Sequence, residues 1–181
     1  MTKENLDLTN IEQRARAVRM FVFDVDGVLT DGSLFYDNEG QEYKAFNSRD
    51  GHGIKMLRAS GVETGIITGR KSHIVLHRAR NLGIGHIYQG AEDKLEALQR
   101  LLQETGLTAQ QLAYMGDDVV DLPVMNRCGL AITVPDAPAE VKARSHVITV
   151  AAAGRGAARE ACELIMRAQG TWAAQIALYD R

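Results

Sequence analysis

Met20-Phe21-Val22-Phe23-Asp24-Val25-Asp26-Gly27-Val28-Leu29-Thr30 decides how the rest of the chain reads. Its first part is a short apolar run ending in a carboxylate, the pattern of a parallel strand buried on both faces that delivers a polar residue at its C-terminal end. The pattern recurs. Residues 62–68 end in Thr68-Gly69-Arg70, and residues 112–115 end in Gly116-Asp117-Asp118. Shorter candidate strands lie at 86–88, 130–134 and 146–148. Between them run segments of helical period at 53–59, 72–82, 94–104, 119–126 and 139–144, with another at 11–18 ahead of the first strand. Residues 157–169 and a stretch around Trp172 close the chain as further helices.

Strand and helix in alternation predict right-handed crossovers and an α/β fold, a doubly wound, Rossmann-like parallel sheet with helices on both faces. Ligands of such sheets bind beyond the carboxyl ends of the strands, so Asp24, Thr68 and Asp117 are predicted to converge on one site. One segment breaks the alternation. Ser33-Leu34-Phe35-Tyr36 and Glu42-Tyr43-Lys44-Ala45-Phe46 flank Asp37-Asn38-Glu39-Gly40 and predict a β-hairpin insertion at about 32–47, too small to be a domain.

A length of 181 residues allows one sizeable core and not two ordinary domains, so 1–181 is expected to form one domain with a C-terminal tail from about 151 to 181. Hydrophobic residues at 45% and charged residues at 24% fit a globular protein. A net charge of -2 without a basic block argues against a nucleic-acid partner. No apolar stretch is long enough to cross a bilayer and the N-terminus carries no apolar run, so no membrane partner and a cytoplasmic location are expected. Cys128 and Cys162 show neither CxxC nor zinc-ligand spacing and are expected as reduced packing residues. Ala151-Ala152-Ala153-Gly154-Arg155-Gly156 is expected as a flexible loop.

Asp24 and Asp26 stand two apart at a strand end, where Gly27 eases the turn that lets both face one ligand. Phosphoryl transfer needs an in-line nucleophile and a proton donor for the leaving oxygen, roles these two can fill. Typical residue frequencies put a chance DxDGxxT in a chain this size at about one in a thousand. The Thr68 hydroxyl and the next backbone N–H suit two phosphate oxygens, although a Thr-Gly after a strand is commonly an ordinary turn. Lys94 opens a helix and would neutralise carboxylate and phosphate charge, where the plainer reading is a surface lysine. Asp117, Asp118 and Asp121 bring further acids to another strand end. An acidic helix start accounts for Asp118 or Asp121 singly but not for the set, which a hard dication such as Mg2+ would turn from repulsion into binding.

Asp24-x-Asp26, Thr68, Lys94 and Gly116-Asp117-Asp118-x-x-Asp121 match in order the four motifs of haloacid dehalogenase superfamily phosphatases, which the chain resembles from about residue 20 to 169. Asn47-Ser48-Arg49-Asp50-Gly51-His52-Gly53, Thr68-Gly69-Arg70-Lys71 and Gly154-Arg155-Gly156-Ala157-Ala158-Arg159 carry a closer likeness to the members that act on phosphorylated sugar acids for lipopolysaccharide. His52 departs from the aromatic residue expected there in close relatives.

The resemblance implies Asp24 as nucleophile and Asp26 as general acid and base. It implies Mg2+ on Asp24, the Asp26 backbone carbonyl and Asp117, with Asp118 and Asp121 orienting that shell. Gly69, Arg70, Arg78 and Arg155 are implied as substrate contacts, although Arg78 sits in a basic helical stretch with His73, His77 and Arg80 of the kind usually solvated. A small phosphorylated sugar acid as substrate and a homotetramer formed through the hairpin also follow from the resemblance. Other readings are a related sugar phosphate as substrate, a phospho-accepting signalling domain and an idle scaffold. Asp26 speaks against the second, because a switch gains nothing from a built-in hydrolytic base.

Overall fold

The computed structural model describes residues 3–180. In chain order the elements are α1 (Lys3–Ala17), β1 (Met20–Phe23), β2 (Phe35–Tyr36), β3 (Glu42–Tyr43), α2 (Ser48–Ala59), β4 (Glu63–Thr68), α3 (His73–Leu82) and β5 (His86–Gln89). They continue as α4 (Lys94–Thr105), β6 (Leu112–Met115), α5 (Leu122–Met125), β7 (Leu130–Thr133), α6 (Ala139–Lys142), β8 (Val147–Ile148), α7 (Ala157–Ala168) and α8 (Trp172–Ala177).

Six strands form one parallel sheet in the order β5-β4-β1-β6-β7-β8, and β2 pairs antiparallel with β3. The chain winds outward from β1 to β5, then returns through α4 to β6 and winds the other way. Right-handed crossovers therefore place α2 and α3 on one face and α4, α5 and α6 on the other, and the order reverses between β1 and β6. Every residue of β1, β6 and β7 is buried, which explains their apolar runs. Phe23 aligns with Ile66 on one side and Met115 on the other, so Asp24, Thr68 and Asp117 leave the sheet along the same edge.

The structure sharpens several boundaries. Helix α2 starts before the expected residue 53, because the Asn47 side chain accepts hydrogen bonds from the Arg49 and Asp50 N–H groups. Gly51 and Gly53 masked that start, and the second is there for packing: a Cβ on Gly53 would lie 3.0 Å from the Cα of Arg159 on α7. Residues 119–126, expected as one helix, divide into a 3-10 turn at Val119–Asp121 and α5. The hairpin strands are two residues each, shorter than expected.

Residues 151–156 are tied down despite their small side chains. Gly154 N–H donates to the Val28 carbonyl at 3.1 Å, Gly156 N–H to Asp50 at 3.2 Å, and Glu160 accepts from the Val150 and Ala151 N–H groups. Both cysteines are free and buried. Among the described residues no helix is long and apolar enough to cross a membrane.

Candidate active site

Asp24 follows β1 directly and is 6% exposed. Its Oδ1 accepts the Val25 N–H at 2.7 Å and its Oδ2 lies 2.8 Å from Lys94 Nζ. Lys94, the first residue of α4, is also buried and donates to Asp121 Oδ1 at 2.6 Å. Asp121 is fully buried and fully engaged: Oδ1 also accepts the Tyr114 hydroxyl at 2.6 Å, and Oδ2 accepts the N–H groups of Asp117 and Asp118 at 3.0 and 3.2 Å. Those bonds fix the loop after β6, while the Thr133 hydroxyl holds the Gly116 carbonyl at 2.7 Å from β7.

Asp117 is the opposite case. Its Oδ1 is buried with no hydrogen-bond partner. A buried, unpaired carboxylate oxygen is costly unless something outside the protein binds it. Carboxylate oxygens of Asp24, Asp117 and Asp121 lie within 4.8 Å of one another, with the single Lys94 ammonium among them. Burial first, and then the negative charge of Asp121, push the Asp24 pKa up to about 6 against the pull of Lys94. Burial, Asp24 and Asp121 push Asp117 up to about 7. For Lys94 burial disfavours the charge, but the two carboxylates outweigh it and hold the pKa above its ordinary value.

Excess negative charge, an orphaned oxygen and a purely oxygen donor set fit a hard divalent cation. Of the three acids, Asp24 and Asp117 have capacity left for it, whereas Asp121 is saturated by four donors and acts as the bracket that orients them. Asp118 is exposed and caps the following turn through the Val119 N–H at 2.7 Å.

Asp26 lies at the start of the turn that runs through Gly27, against Lys44 beside the hairpin. Its carboxylate pairs with Lys44 Nζ, and Arg70 Nε stands 3.8 Å from its other oxygen. The Lys44 side chain is only 1% exposed and also contacts Glu42 at 3.3 Å. Arg70 closes the network by donating to Glu42 at 2.9 Å and to the Tyr36 hydroxyl. Sequence reasoning missed Lys44, Glu42 and Tyr36, since charges on a short hairpin strand read as ordinary edge protection.

Thr68 is buried at the end of β4, where its carbonyl accepts the Ala91 N–H at 3.1 Å. A Cβ on the adjacent Gly69 would find nothing closer than 3.9 Å, so open space lies over that position. Arg155 is exposed, 3.8 Å from Asp31, on the wall of a cavity of about 360 Å³ that also touches Gly27, Asp117 and Asp118. Arg78 belongs to a different cluster. Its guanidinium donates to the Asn47 carbonyl at 3.1 Å and lies 5.6 Å from the Phe46 ring, joining α3 to the start of α2. His52 bonds the Tyr179 hydroxyl at 2.9 Å.

An aspartate pair just past the central strand, a lysine from α4 and an acidic loop after β6, all at the switch point of a doubly wound sheet, mark a phosphoryl-transfer site of the haloacid dehalogenase kind, and the haloacid dehalogenase-like hydrolase family matches residues 78–160. The 3-deoxy-D-manno-octulosonate 8-phosphate phosphatase of Salmonella typhi is 45% identical over 162 residues, which cover 90% of this chain and 86% of that protein. The chain belongs to the 3-deoxy-D-manno-octulosonate 8-phosphate phosphatase family. The Moraxella catarrhalis phosphatase of that name, solved with a magnesium ion, a phosphate ion and a KDO molecule, superimposes with a TM-score of 0.93 at 44% identity over 95% of this chain and 99% of that one. The cobalt-bound form of the Haemophilus influenzae phosphatase gives a TM-score of 0.87 at 39% identity over 91% of this chain and 99% of that one.

Proposed function

We propose that the chain is a magnesium-dependent phosphomonoesterase that hydrolyses 3-deoxy-D-manno-octulosonate 8-phosphate to the free sugar acid and phosphate, in the supply of lipopolysaccharide core precursor. The observation that carries the reading is a buried, unpartnered oxygen on Asp117, a residue whose carboxylate clusters with Asp24 and Asp121 beside Lys94. Family membership supports the substrate class.

In this reading Asp24, the Asp26 backbone carbonyl and Asp117 hold Mg2+, with Asp118 and Asp121 orienting them. The ion's chemistry is to neutralise phosphate and carboxylate charge and to favour in-line geometry. The chain's own residues do the rest. Lys94 offsets the charge of Asp24, while the Thr68 hydroxyl and Gly69 N–H receive phosphate oxygens. An Asp24 carboxylate oxygen forms a bond to phosphorus as the bond from phosphorus to the sugar oxygen breaks. Asp26 gives its proton to that departing oxygen, leaving an aspartyl-phosphate on Asp24. Asp26, now a carboxylate, takes a proton from a water that attacks phosphorus, and phosphate leaves with Asp24 restored. Lys44 and Arg70 are placed to balance Asp26 in its ionised state and to hold it over the site. Arg70 and Arg155 supply cationic groups on the rim for the substrate's carboxylate, while Arg78 stays with Asn47 and Phe46 at the start of α2.

The same reading takes 1–181 as one cytoplasmic domain that works as a homotetramer, with hairpin and tail meeting neighbouring sites. A monomeric mass by light scattering would remove the tetramer. For the activity, phosphate release is measured from the octulosonate 8-phosphate, a nonulosonate 9-phosphate and simple sugar phosphates, with magnesium and after its removal. Metal-dependent preference for the octulosonate ester is expected, together with loss of turnover in Asp24→Asn. Preference for another ester would overturn the substrate, and an active Asp24→Asn without deamidation would overturn the nucleophile.

A further inference from the structure

One sizeable concavity lies away from the carboxylates. It measures about 690 Å³ and is lined by the residues that lead into the sheet: Ala17 before β1, Gln110 before β6, Gly129 before β7 and His146 before β8. In a parallel sheet those positions form the end opposite Asp24 and Asp117. Its charge is also opposite. Arg14, Arg127, Arg144 and His146 line it, and among the described residues no Asp or Glu does.

None of the three arginines makes an ion pair among the described residues. Each is instead pinned through the backbone. Nη1 of Arg14 donates to the Gly129 carbonyl at 2.6 Å, Nη1 of Arg127 to Pro123 at 2.8 Å, and Nη1 of Arg144 to Glu140 at 2.9 Å. Arg14 is held a second time, its Nε donating to Asn10 Oδ1 at 3.0 Å, yet Nη2 of each fork stays available, and ordering a guanidinium in advance reduces what an incoming oxyanion must immobilise. His146 is oriented as well. Its Nδ1 accepts the Ala131 N–H at 2.9 Å, which puts the ring proton on Nε2 as a donor. Burial and then the charge of Arg14 lower its pKa, as expected beside clustered cations.

A solvated basic patch would be the ordinary reading of scattered surface arginines. Here the cations are concentrated in one concavity of a chain whose net charge is -2, so repulsion among them is not the echo of a generally basic surface. The cavity volume falls within the roughly 300–1,000 Å³ typical of small-molecule sites. We infer that this concavity is a second binding site, distinct from the catalytic one, for a small polyanion bearing phosphate groups. Planar guanidinium forks suit phosphate oxygens, and the separate cations favour two phosphates over one.

The test is calorimetric titration of metal-stripped protein with pyrophosphate and, in parallel, inorganic phosphate. Pyrophosphate is expected to bind at one site per chain and more tightly than phosphate. In R127E/R144E its affinity should fall at least tenfold, with an unchanged circular dichroism spectrum and unchanged magnesium-dependent phosphatase activity. R127Q/R144Q, which removes charge without reversing it, guards against a folding effect and should weaken binding in the same direction. No pyrophosphate binding to the parent protein, or equal affinity in both double variants, overturns the inference. Equal affinity would also place any observed anion at the catalytic end.

Discussion

Gly27 offers the sharpest separation of backbone strain from site chemistry, because Gly32 supplies a matched control five residues on. Both sit in the left-handed region, at φ +84° and +81°. Alanine at either position therefore carries the same backbone penalty of about 1–2 kcal/mol. The surroundings differ. A Cβ on Gly32 meets nothing nearer than 3.6 Å, which is ordinary contact, whereas one on Gly27 would lie 2.1 Å from Asp117 Oδ2. Restoring normal contact, near 3.5 Å, means that the Asp117 carboxylate must retreat by about 1.4 Å. The main chain cannot follow, since the Asp117 N–H is bonded to the buried Asp121, so the carboxylate itself must turn away from its place beside Asp24.

Gly32→Ala should thus lower the thermal midpoint by about 2–8 °C, as expected for a domain of this size, and keep kcat within a few-fold. Gly27→Ala should show at least that loss of stability together with a fall in kcat on the order of 100-fold, the scale for a misplacement of about 1 Å. Its magnesium requirement should also rise. Thermal unfolding, steady-state phosphate release and a magnesium titration measure all three quantities. Wild-type turnover and magnesium dependence in Gly27→Ala would refute the role given to Asp117. Equal inactivity of Gly32→Ala would show that loop conformation, not the Asp117 contact, was being read.

Lys94→Met leaves Asp24 and Asp121 buried without their shared cation and should cost about 3–5 kcal/mol of stability, partly restored by magnesium; an unchanged unfolding midpoint would contradict it. Lys44→Met should lower kcat by about tenfold or more by releasing the Asp26 side chain, while magnesium affinity, which on the proposed reading uses only the backbone of Asp26, stays the same; a loss confined to magnesium affinity would place Lys44 in the wrong half of the site. In metal-free protein the raised pKa values of Asp24 and Asp117, about 6 and about 7, favour the fold below pH 4 and lose that contribution as pH climbs through them. For Asp24 the effect is on the order of 3 kcal/mol. Magnesium should therefore raise the melting temperature far more at pH 8 than at pH 5, read as a difference so that the opposite trend of His146 cancels; equal shifts at both pH values would count against these two as the metal's ligands.

Legibility followed the length scale of each interaction. The sheet could be read because β1, β6 and β7 are buried runs whose apolar character needs no knowledge of their neighbours, and β4 repeats the pattern through Ile66 and Ile67. Asp24 and Asp117 could be placed because strand ends in a doubly wound sheet have a fixed destination, whereas Lys94 and Asp121, on helical turns, could be placed only through the ordered motifs. What failed depended on contacts across the chain. The start of α2 was hidden by two glycines that make sense only against Arg78 and Arg159. The 151–156 segment looked flexible from composition, yet its order comes from Asp50 and Glu160, acids distant in sequence or around a turn. Lys44 looked like an edge charge and is buried against Asp26 from 18 residues away.

These contrasts divide the site into a rigid half and a dependent half. Asp121 ties Lys94, Tyr114 and the loop at Asp117 into one buried network, so that half is fixed by the core itself. Asp26 is held instead by Lys44 and Arg70, through a hairpin whose strands are two residues long and whose Leu34, Phe35, Tyr36 and Tyr43 are 48–56% exposed. An isolated two-stranded hairpin is marginal in water, and this one presents apolar surface outward. A cover from another copy of the chain would stabilise the hairpin and with it the position of the proton donor. The proposed tetramer would then act on the general acid, not on the metal: dissociating the subunits should cost kcat before it costs magnesium affinity.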